Sequence, residues 1–229
     1  MLRITFHGHA CFLIETDQVA LLTDPYLSDN PLAVIGPASV KADYILLSHG
    51  HPDHVGDTVA IAKHCGAAVI APFELVQLCQ RLGVVKTQSM NIGGRLDAGK
   101  FAIQMTIAHH SSAYVHESEL IYTGSPCGYL MTIGGKTIYF AGDTAVFQDM
   151  AAIGSNGIHV ALLPIGDLYT MGPEAAREAV ELLQPDLVVP MHYNTWEVIK
   201  QNPHEFVDSL DRYGCRGVVL HPGESMVLQ

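Results

Sequence analysis

The chain has 229 residues, of which 48% are hydrophobic and 15% are charged, and its formal net charge is −11. This length predicts a single domain over residues 1–229, and the composition argues against a disordered chain. Because the chain has no basic stretch, we expect no nucleic-acid partner. No apolar run is long enough to span a bilayer, so we expect no membrane partner. The five scattered cysteines and a strand-like start in place of an apolar signal core predict a cytoplasmic protein. The apolar bias would suit a homo-oligomer.

The predicted elements of the first half are short strands followed by alternating strands and helices. In chain order they are strands at 2–7, 11–16 and 19–23, a loop, a strand at 44–47, a helix at 55–64, a strand at 67–71 and a helix at 72–82.

The second half repeats this order. Its predicted elements are short strands within 84–107, a hairpin of 127–133 and 136–141 across Gly134-Gly135, a helix at 144–152, a strand at 158–163, a helix at 173–183, a strand at 186–190, a helix at 203–213 and strands at 216–220 and 225–228. The segment 111–126 is the least regular and is predicted to be a lid near the site. Because strands precede β–α alternation in both halves, we expect two sheets packed face to face with helices outside.

The most informative motif is the run Ser-His-Gly-His-Pro-Asp-His at residues 48–54, directly after a predicted buried strand. Residues i and i+2 of an extended backbone point the same way, so His49 and His51 can hold one metal ion. Asp53 and His54 follow a turn and can face a second ion. Imidazole nitrogen and carboxylate oxygen are ligands that zinc takes in catalytic sites. A helix cap at Asp53 is the structural alternative, but it does not explain three histidines.

Four other predicted strands also end in metal-capable side chains. These are, in chain order, the doublet His109-His110, Asp143, His192 and His221. Each has an ordinary alternative, since Asp143 could cap the helix at 144–152 and the histidines could be loop residues. A two-metal site, however, needs more ligands than residues 48–54 provide. A carboxylate such as that of Asp143 has two oxygens and can bridge two cations.

The run from His49 to His54 resembles the HxHxDH signature of the metallo-β-lactamase superfamily. Other elements resemble one branch of it, the uncharacterised metal-dependent hydrolases grouped near the L-ascorbate-6-phosphate lactonases. These elements are Gly8-His9-Ala10-Cys11-Phe12, Thr23-Asp24-Pro25-Tyr26, His110-Ser111-Ser112, the stretches 139–144, 163–166 and 169–176, and Pro190-Met191-His192-Tyr193-Asn194-Thr195. The resemblance runs from about residue 2 to residue 228. It implies an α/β fold (α+β by some schemes), a four-layer αββα sandwich with the site at one edge of both sheets.

The resemblance also implies a ligand set. One metal ion would be held by His49, His51 and His110, and the other by Asp53, His54 and His192, with Asp143 bridging. His110 is preferred to His109 because it directly precedes Ser-Ser, as in the family. His192 is preferred to His221 because the whole Pro-Met-His-Tyr-Asn element matches.

The implied activity is hydrolysis of an ester, lactone or phosphoester in a small molecule by a hydroxide bound between two divalent ions. Zinc suits these ligands best, although manganese, iron or nickel would use the same ones. Asp53 is expected to orient the hydroxide, and His9 to assist proton transfer or contact substrate. The alternatives are a di-iron redox protein or a non-catalytic metal-binding protein on the same fold. A nuclease is a further alternative, but it would need a basic surface that this chain lacks.

The substrate is expected to be selected by loops. The segments 26–40 and 111–126 are predicted to carry specificity, because one metal core can serve chemically different bonds. Tyr169 and Asn194 are weaker candidates for the pocket.

Overall fold

The computed structural model describes residues 1–229. Its first half contains β1 (Leu2–Gly8), β2 (Cys11–Glu15), β3 (Ala20–Thr23), β4 (Tyr44–Leu46), α1 (Pro52–Val55), α2 (Thr58–Cys65), β5 (Ala68–Pro72), α3 (Phe73–Arg81) and β6 (Thr87–Met90). Its second half contains β7 (Arg95–Asp97), β8 (Phe101–Ile107), β9 (Ala113–His116), β10 (Glu119–Tyr122), β11 (Cys127–Ile133), β12 (Lys136–Phe140), α4 (Met150–Gly154), β13 (Val160–Pro164), α5 (Pro173–Leu183), β14 (Leu187–Met191), α6 (Pro203–Asp208), β15 (Arg216–Gly217) and β16 (Ser225–Leu228). None of the helices combines the length and the apolar content needed to cross a membrane.

Two seven-stranded sheets form the centre of the fold. The first has the order β16-β1-β2-β3-β4-β5-β6, and the second has the order β15-β14-β13-β12-β11-β8-β7. In the first sheet β1, β3 and β4 run in the same direction, as do β8, β12 and β14 in the second. The carboxyl ends of three strands therefore meet at one edge of each sheet, and the chain segments that leave them carry the polar motifs.

The main core lies between the two sheets. Alternate residues of β1, namely Leu2, Ile4 and Phe6, pack in one buried cluster with residues of β8, β11, β12 and β14. Two further buried clusters lie on the outer faces, one with helices α1 to α3 and the other with α4 to α6. Helices thus cover both sheets, which confirms the predicted αββα sandwich.

Hydrogen bonds between the two sheets lie directly beneath the histidine motif. The buried hydroxyl of Tyr129, on β11, donates to the carbonyl of Leu47 at 2.8 Å, and the backbone N–H of Cys127 donates to the carbonyl of Ser48 at 2.9 Å. The end of β4 is therefore held against the second sheet. This contact fixes the backbone from which the motif at residues 48–54 begins.

The helix predicted at 144–152 is wrong in its first two turns. The helix in this region is Met150–Gly154, and Thr144 does not lie at a helix start. The hydroxyl of Thr144 instead accepts from the N–H of His109 at 3.0 Å, and its carbonyl accepts from the N–H of Met171 at 3.0 Å. A tertiary hydrogen bond thus takes the carbonyl that a helix beginning at residue 144 would use. Asp143 is consequently free of the capping role.

The helix predicted at 55–64 is divided in two. Pro52–Val55 forms one turn, and Thr58–Cys65 forms the second helix. Gly56 lies between them with a φ of 37°, and a Cβ atom there would collide with the backbone of Pro25. Only glycine allows this close approach, which brings the end of the motif against the loop after β3.

Three smaller differences concern irregular segments. The segment predicted as irregular, 111–126, contains the two-stranded hairpin β9–β10. The helix predicted at 203–213 continues beyond α6 only as a short 3-10 turn, and the strand predicted at 216–220 is limited to β15. The predicted turn at Gly134-Gly135 is confirmed, because both residues have positive φ, 58° and 75°, as a tight hairpin turn requires.

Candidate metal centre

Polar side chains from six strand ends converge at one edge of the sandwich. They are His9 after β1, Asp24 after β3, His49 after β4, His110 after β8, Asp143 after β12 and His192 after β14. All of them except His110 are buried. Such a concentration of buried ionisable groups needs partners or a bound cation to be stable.

The first histidine group consists of His49, His51 and His110. Nε2 of His49 lies 2.9 Å from Nδ1 of His51, and Nε2 of His110 lies 3.3 Å from that same Nδ1. One ring nitrogen of each residue lies within 4.8 Å of the others, so the three nitrogens can share one ion. His109 is exposed and stacks on Phe147 with ring centroids 4.8 Å apart, so it is His110 that joins the group.

The second ligand group consists of Asp53, His54 and His192. Oδ2 of Asp53 lies 3.7 Å from Nε2 of His54 and 3.8 Å from Nε2 of His192. These atoms also lie within 4.8 Å of one another, with Nε2 of His9 beside them. His221 is exposed and lies outside the group. The geometry therefore brings together the residues that the resemblance implied and leaves out the rival.

Asp143 lies between the two groups. Its Oδ2 lies 3.0 Å from Nε2 of His192, 3.2 Å from Nε2 of His54, 3.6 Å from Nε2 of His110 and 4.0 Å from Nε2 of His49. Oδ1 of Asp143 and Nε2 of His54 are buried without a hydrogen-bond partner. A buried polar atom left without a partner is costly, and a cation between the groups would satisfy both atoms. The donor set therefore fits bound metal.

Asp24 supports both groups from behind, a role that the sequence did not reveal. Its Oδ2 lies 2.7 Å from Nδ1 of His54 and accepts from the hydroxyl of Ser48 at 2.5 Å, while Oδ1 accepts from the N–H of Ser48 at 2.8 Å. The same hydroxyl lies 2.9 Å from Nδ1 of His49. With their Nδ1 atoms engaged, His54 and His49 both present Nε2 to the site. Carboxylates that orient ligating histidines in this way are common in metal proteins.

His9 lies behind Asp53 instead of in the cavity wall. It is fully buried, its Nε2 lies 3.0 Å from Oδ2 of Asp53, and its Nδ1 lies 2.8 Å from the hydroxyl of Thr195. Its carbonyl accepts from the N–H of His192 at 2.8 Å. Both His9 and His192 have positive φ, 58° and 55°, which is uncommon outside glycine and tends to occur at functional sites.

The two groups differ in charge. Burial lowers the pKa of every histidine in the first group, so these rings are neutral. Burial acts in the same direction on His192, but the adjacent carboxylate of Asp143 outweighs it and raises the pKa of His192 to about 9. The pKa of His54 is likewise raised despite burial, chiefly by Asp143 and Asp53. The first group therefore consists of neutral imidazoles and the second of paired charges.

A cavity of about 770 Å³ opens onto both groups. Its inner wall contains His51, Asp53, His110, Asp143 and His192. The outer wall comes from loops and from β9, and it includes Tyr26, Tyr114, Tyr169 and Trp196. Tyr169 thus lines the cavity, whereas Asn194 does not and instead accepts from the N–H of Gln201 through Oδ1.

This site geometry agrees with the similarity of the chain to known proteins. A family model described as the beta-lactamase superfamily domain matches residues 3–192. A UPF0173 metal-dependent hydrolase of Carboxydothermus hydrogenoformans is 47% identical over 228 residues, with 99% of this chain and 100% of the relative covered. Another, of Bacillus cereus, is 50% identical over 232 residues, with 99% of this chain and 100% of the relative covered.

A solved structure also shows this similarity. Igni18, a metallo hydrolase from the hyperthermophilic archaeon Ignicoccus hospitalis, superposes with a TM-score of 0.89 at 35% identity, covering 100% of this chain and 98% of the other. The chain belongs to the metallo-β-lactamase superfamily. Within that class it is a metal-dependent hydrolase, which confirms the predicted enzyme class. Its resemblance to the lactonase branch stays a prediction.

Proposed function

We propose that this hydrolase works with two divalent metal ions and cleaves an ester, lactone or phosphoester bond in a small molecule. The observation that carries the proposal is the position of Asp143, whose Oδ2 lies within 4.0 Å of imidazole nitrogens from both groups. A carboxylate in this position can be shared by two ions, so the arrangement fits two metal ions better than a single ion. Zinc fits the imidazole and carboxylate donors best, and manganese, iron or nickel could use them.

The first histidine group would hold one ion and the second ligand group the other, with Asp143 shared. When bound, such a pair supplies Lewis-acid activation of water and of the oxygen at the bond under attack. The side chains of the protein hold the reacting molecules in position. Its cavity, which His51, Asp53 and His192 line, can admit a small molecule.

Asp53 is the proposed catalytic carboxylate. Its side chain is 22% exposed and lines the cavity, so Asp53 can accept a hydrogen bond from the attacking water. Burial lowers the pKa of His9 to about 4, so His9 is neutral near pH 7. A neutral imidazole has one donor and one acceptor nitrogen. With Nε2–H donating to Asp53 and Nδ1 accepting from Thr195, His9 is a positioning residue that holds Asp53 in place.

Two further observations support the rest of the proposal. The cavity volume of about 770 Å³ lies in the range of small-molecule sites, which supports a small substrate. All five cysteines are free thiols, which supports our proposal of a cytoplasmic location.

The proposal can be tested by substituting two adjacent histidines, of which His110 belongs to the first histidine group and His109 does not. We expect the purified protein to contain two equivalents of metal by elemental analysis, and to lose turnover of lactone, phosphodiester or thioester test substrates in the presence of a chelator. His110→Ala should lower metal content and reduce turnover by at least about 100-fold, because a ligand is removed. His109→Ala is the matched control and should leave both unchanged.

Two results would contradict the proposal. Full metal content and turnover in His110→Ala would remove His110 from the site. Bound iron that changes oxidation state, with no hydrolysis of any test substrate, would favour the di-iron redox alternative.

A further inference from the structure

We propose that the part of the substrate that does not react is apolar or aromatic and is either uncharged or cationic. The cavity selects against substrates that carry an anionic group in this part. This inference rests on the proposed function, because it concerns the outer wall of the same cavity. It narrows the substrate class, since it disfavours compounds that carry a phosphate or carboxylate group in addition to the bond that is cleaved.

The charges of the outer wall are all negative. Asp29 and Asp57 line the cavity, whereas none of the 12 Lys and Arg residues of the chain does. Asp57 is engaged, because it accepts from the N–H groups of Leu27 and Ser28 and from the hydroxyl of Ser28. The Asp29 carboxylate is exposed and has no hydrogen bond or ion pair. An anionic substituent that reached the outer wall would meet repulsion and no cationic partner.

Most of the large side chains in the rest of this wall are aromatic. The rings of Tyr26 and Trp196 lie 6.2 Å apart and pack against His9, with centroid distances of 5.7 Å and 5.1 Å. Tyr114 and Tyr169 come from two other segments. Such rings offer contact area to apolar groups, and their faces attract cations.

A hydrogen bond joins the aromatic and the acidic parts of the wall. The hydroxyl of Tyr26 donates to the carbonyl of Asp29 at 2.7 Å. The loop after β3 therefore holds a ring and an unpaired carboxylate next to each other. This combination favours a cationic or neutral group and disfavours an anionic one.

Trp196 allows the inference to be tested by binding alone. It is the only tryptophan of the chain and it lines the cavity, so its fluorescence reports occupancy without turnover. The probes are three benzohydroxamates with a para tert-butyl, trimethylammonium or carboxylate group. The hydroxamate anchors each probe at the metal ions, and the first two para groups have nearly the same shape. We expect the carboxylate probe to bind the metal-loaded protein at least about tenfold more weakly than the tert-butyl probe, and the trimethylammonium probe to bind at least as tightly as tert-butyl.

Charge reversal at the wall sharpens the test. Asp29→Lys should reduce the preference for tert-butyl over carboxylate by about fivefold. The control Asp17→Lys makes the same charge change in the exposed turn between β2 and β3, at the opposite edge of the sheets, and should leave the preference unchanged.

The possible outcomes separate this inference from the proposed function. Equal or tighter binding of the carboxylate probe by the wild-type protein would overturn the inference and leave the metal centre standing. Failure of all three probes to bind would count against the metal centre and, with it, against the inference. An equal response to both Lys substitutions would also overturn it, because the effect would then come from net charge alone.

Discussion

The two ligand groups stand side by side at one edge of the sandwich, but they are built differently. In the first, three neutral imidazoles are arranged around Nδ1 of His51, and two of the three rings are partly exposed. In the second, His54 and His192 are buried and lie against carboxylates on several sides. The first group is thus open and uncharged, and the second is enclosed and rich in charge.

This difference has consequences for metal binding. A neutral imidazole can accept a cation without losing a proton, whereas a histidine that is charged through pairing with a carboxylate must first release one. The second group has the carboxylates to hold an ion strongly, but protons compete for the same atoms. Asp143 couples the groups because its Oδ2 approaches both.

Loss of Asp143 should have the largest effect, because it removes the feature that both groups share. We expect Asp143→Asn to lower kcat/KM by at least about 10³-fold and to reduce the metal content below two equivalents. This loss exceeds the effect of about 10- to 100-fold that is typical when a residue that orients a metal ligand is replaced. Elemental analysis and steady-state kinetics measure both effects.

The control for this variant is Asp149→Asn. Asp149 is an exposed residue on the same connection after β12, and its side chain caps no helix. This change should leave metal content and kcat/KM as they are. If Asp143→Asn kept two ions and full turnover, the coupling of the two groups through Asp143 would be disproved.

Asp24→Asn should have a smaller and unequal effect. The substitution keeps the shape of the side chain but weakens the acceptor for Nδ1 of His54, which lies 2.7 Å from Oδ2. We expect affinity for the ion of the second group to fall by about 10- to 100-fold. His49 contacts Asp24 only through Ser48, so the ion of the first group should be affected less.

Competition with a coloured chelator can resolve the two affinities. The exposed residue Asp17, with Asp17→Asn, provides the control for loss of one negative charge. Equal losses at the two groups would show that Asp24 acts through the general fold and not through His54.

Local patterns predicted the parts of the site that lie within one short segment. The motif at residues 48–54 could be interpreted directly, since its spacing alone groups its side chains. His110, Asp143 and His192 could be anticipated because each follows an apolar strand. Parallel strands in each sheet bring such residues to one edge.

The contacts that support these ligands could not be predicted in this way. Asp24 and His54 are 30 residues apart, and His9 and Thr195 are 186 apart, so their pairing depends on how the strands are ordered in space. The error at residues 144–152 has the same origin. Asp143 has the sequence character of a helix cap, but the helix in this region begins only at Met150, and hydrogen bonds with distant residues occupy the hydroxyl and carbonyl of Thr144.

The pH dependence of metal binding should distinguish the two groups most finely. Asp143 and neighbouring carboxylates outweigh burial, raising the pKa of His192 to about 9 and that of His54 well above its ordinary value. His192 therefore holds a proton in the metal-free protein at pH 7. Each proton that an ion displaces lowers its affinity by about tenfold per unit fall in pH below that pKa. Affinity of the second group should therefore decrease from pH 8 to pH 7.

The first group should show little change over that interval, because burial lowers the pKa values of His49, His51 and His110 below the ordinary value of 6.5. Calorimetric titration in two buffers of different ionisation enthalpy counts the protons released with each equivalent of metal. We expect almost none with the ion of the first group and one or two with that of the second. Equal release from both would show that the carboxylates around His54 and His192 do not hold protons there, and the electrostatic contrast between the groups would be lost.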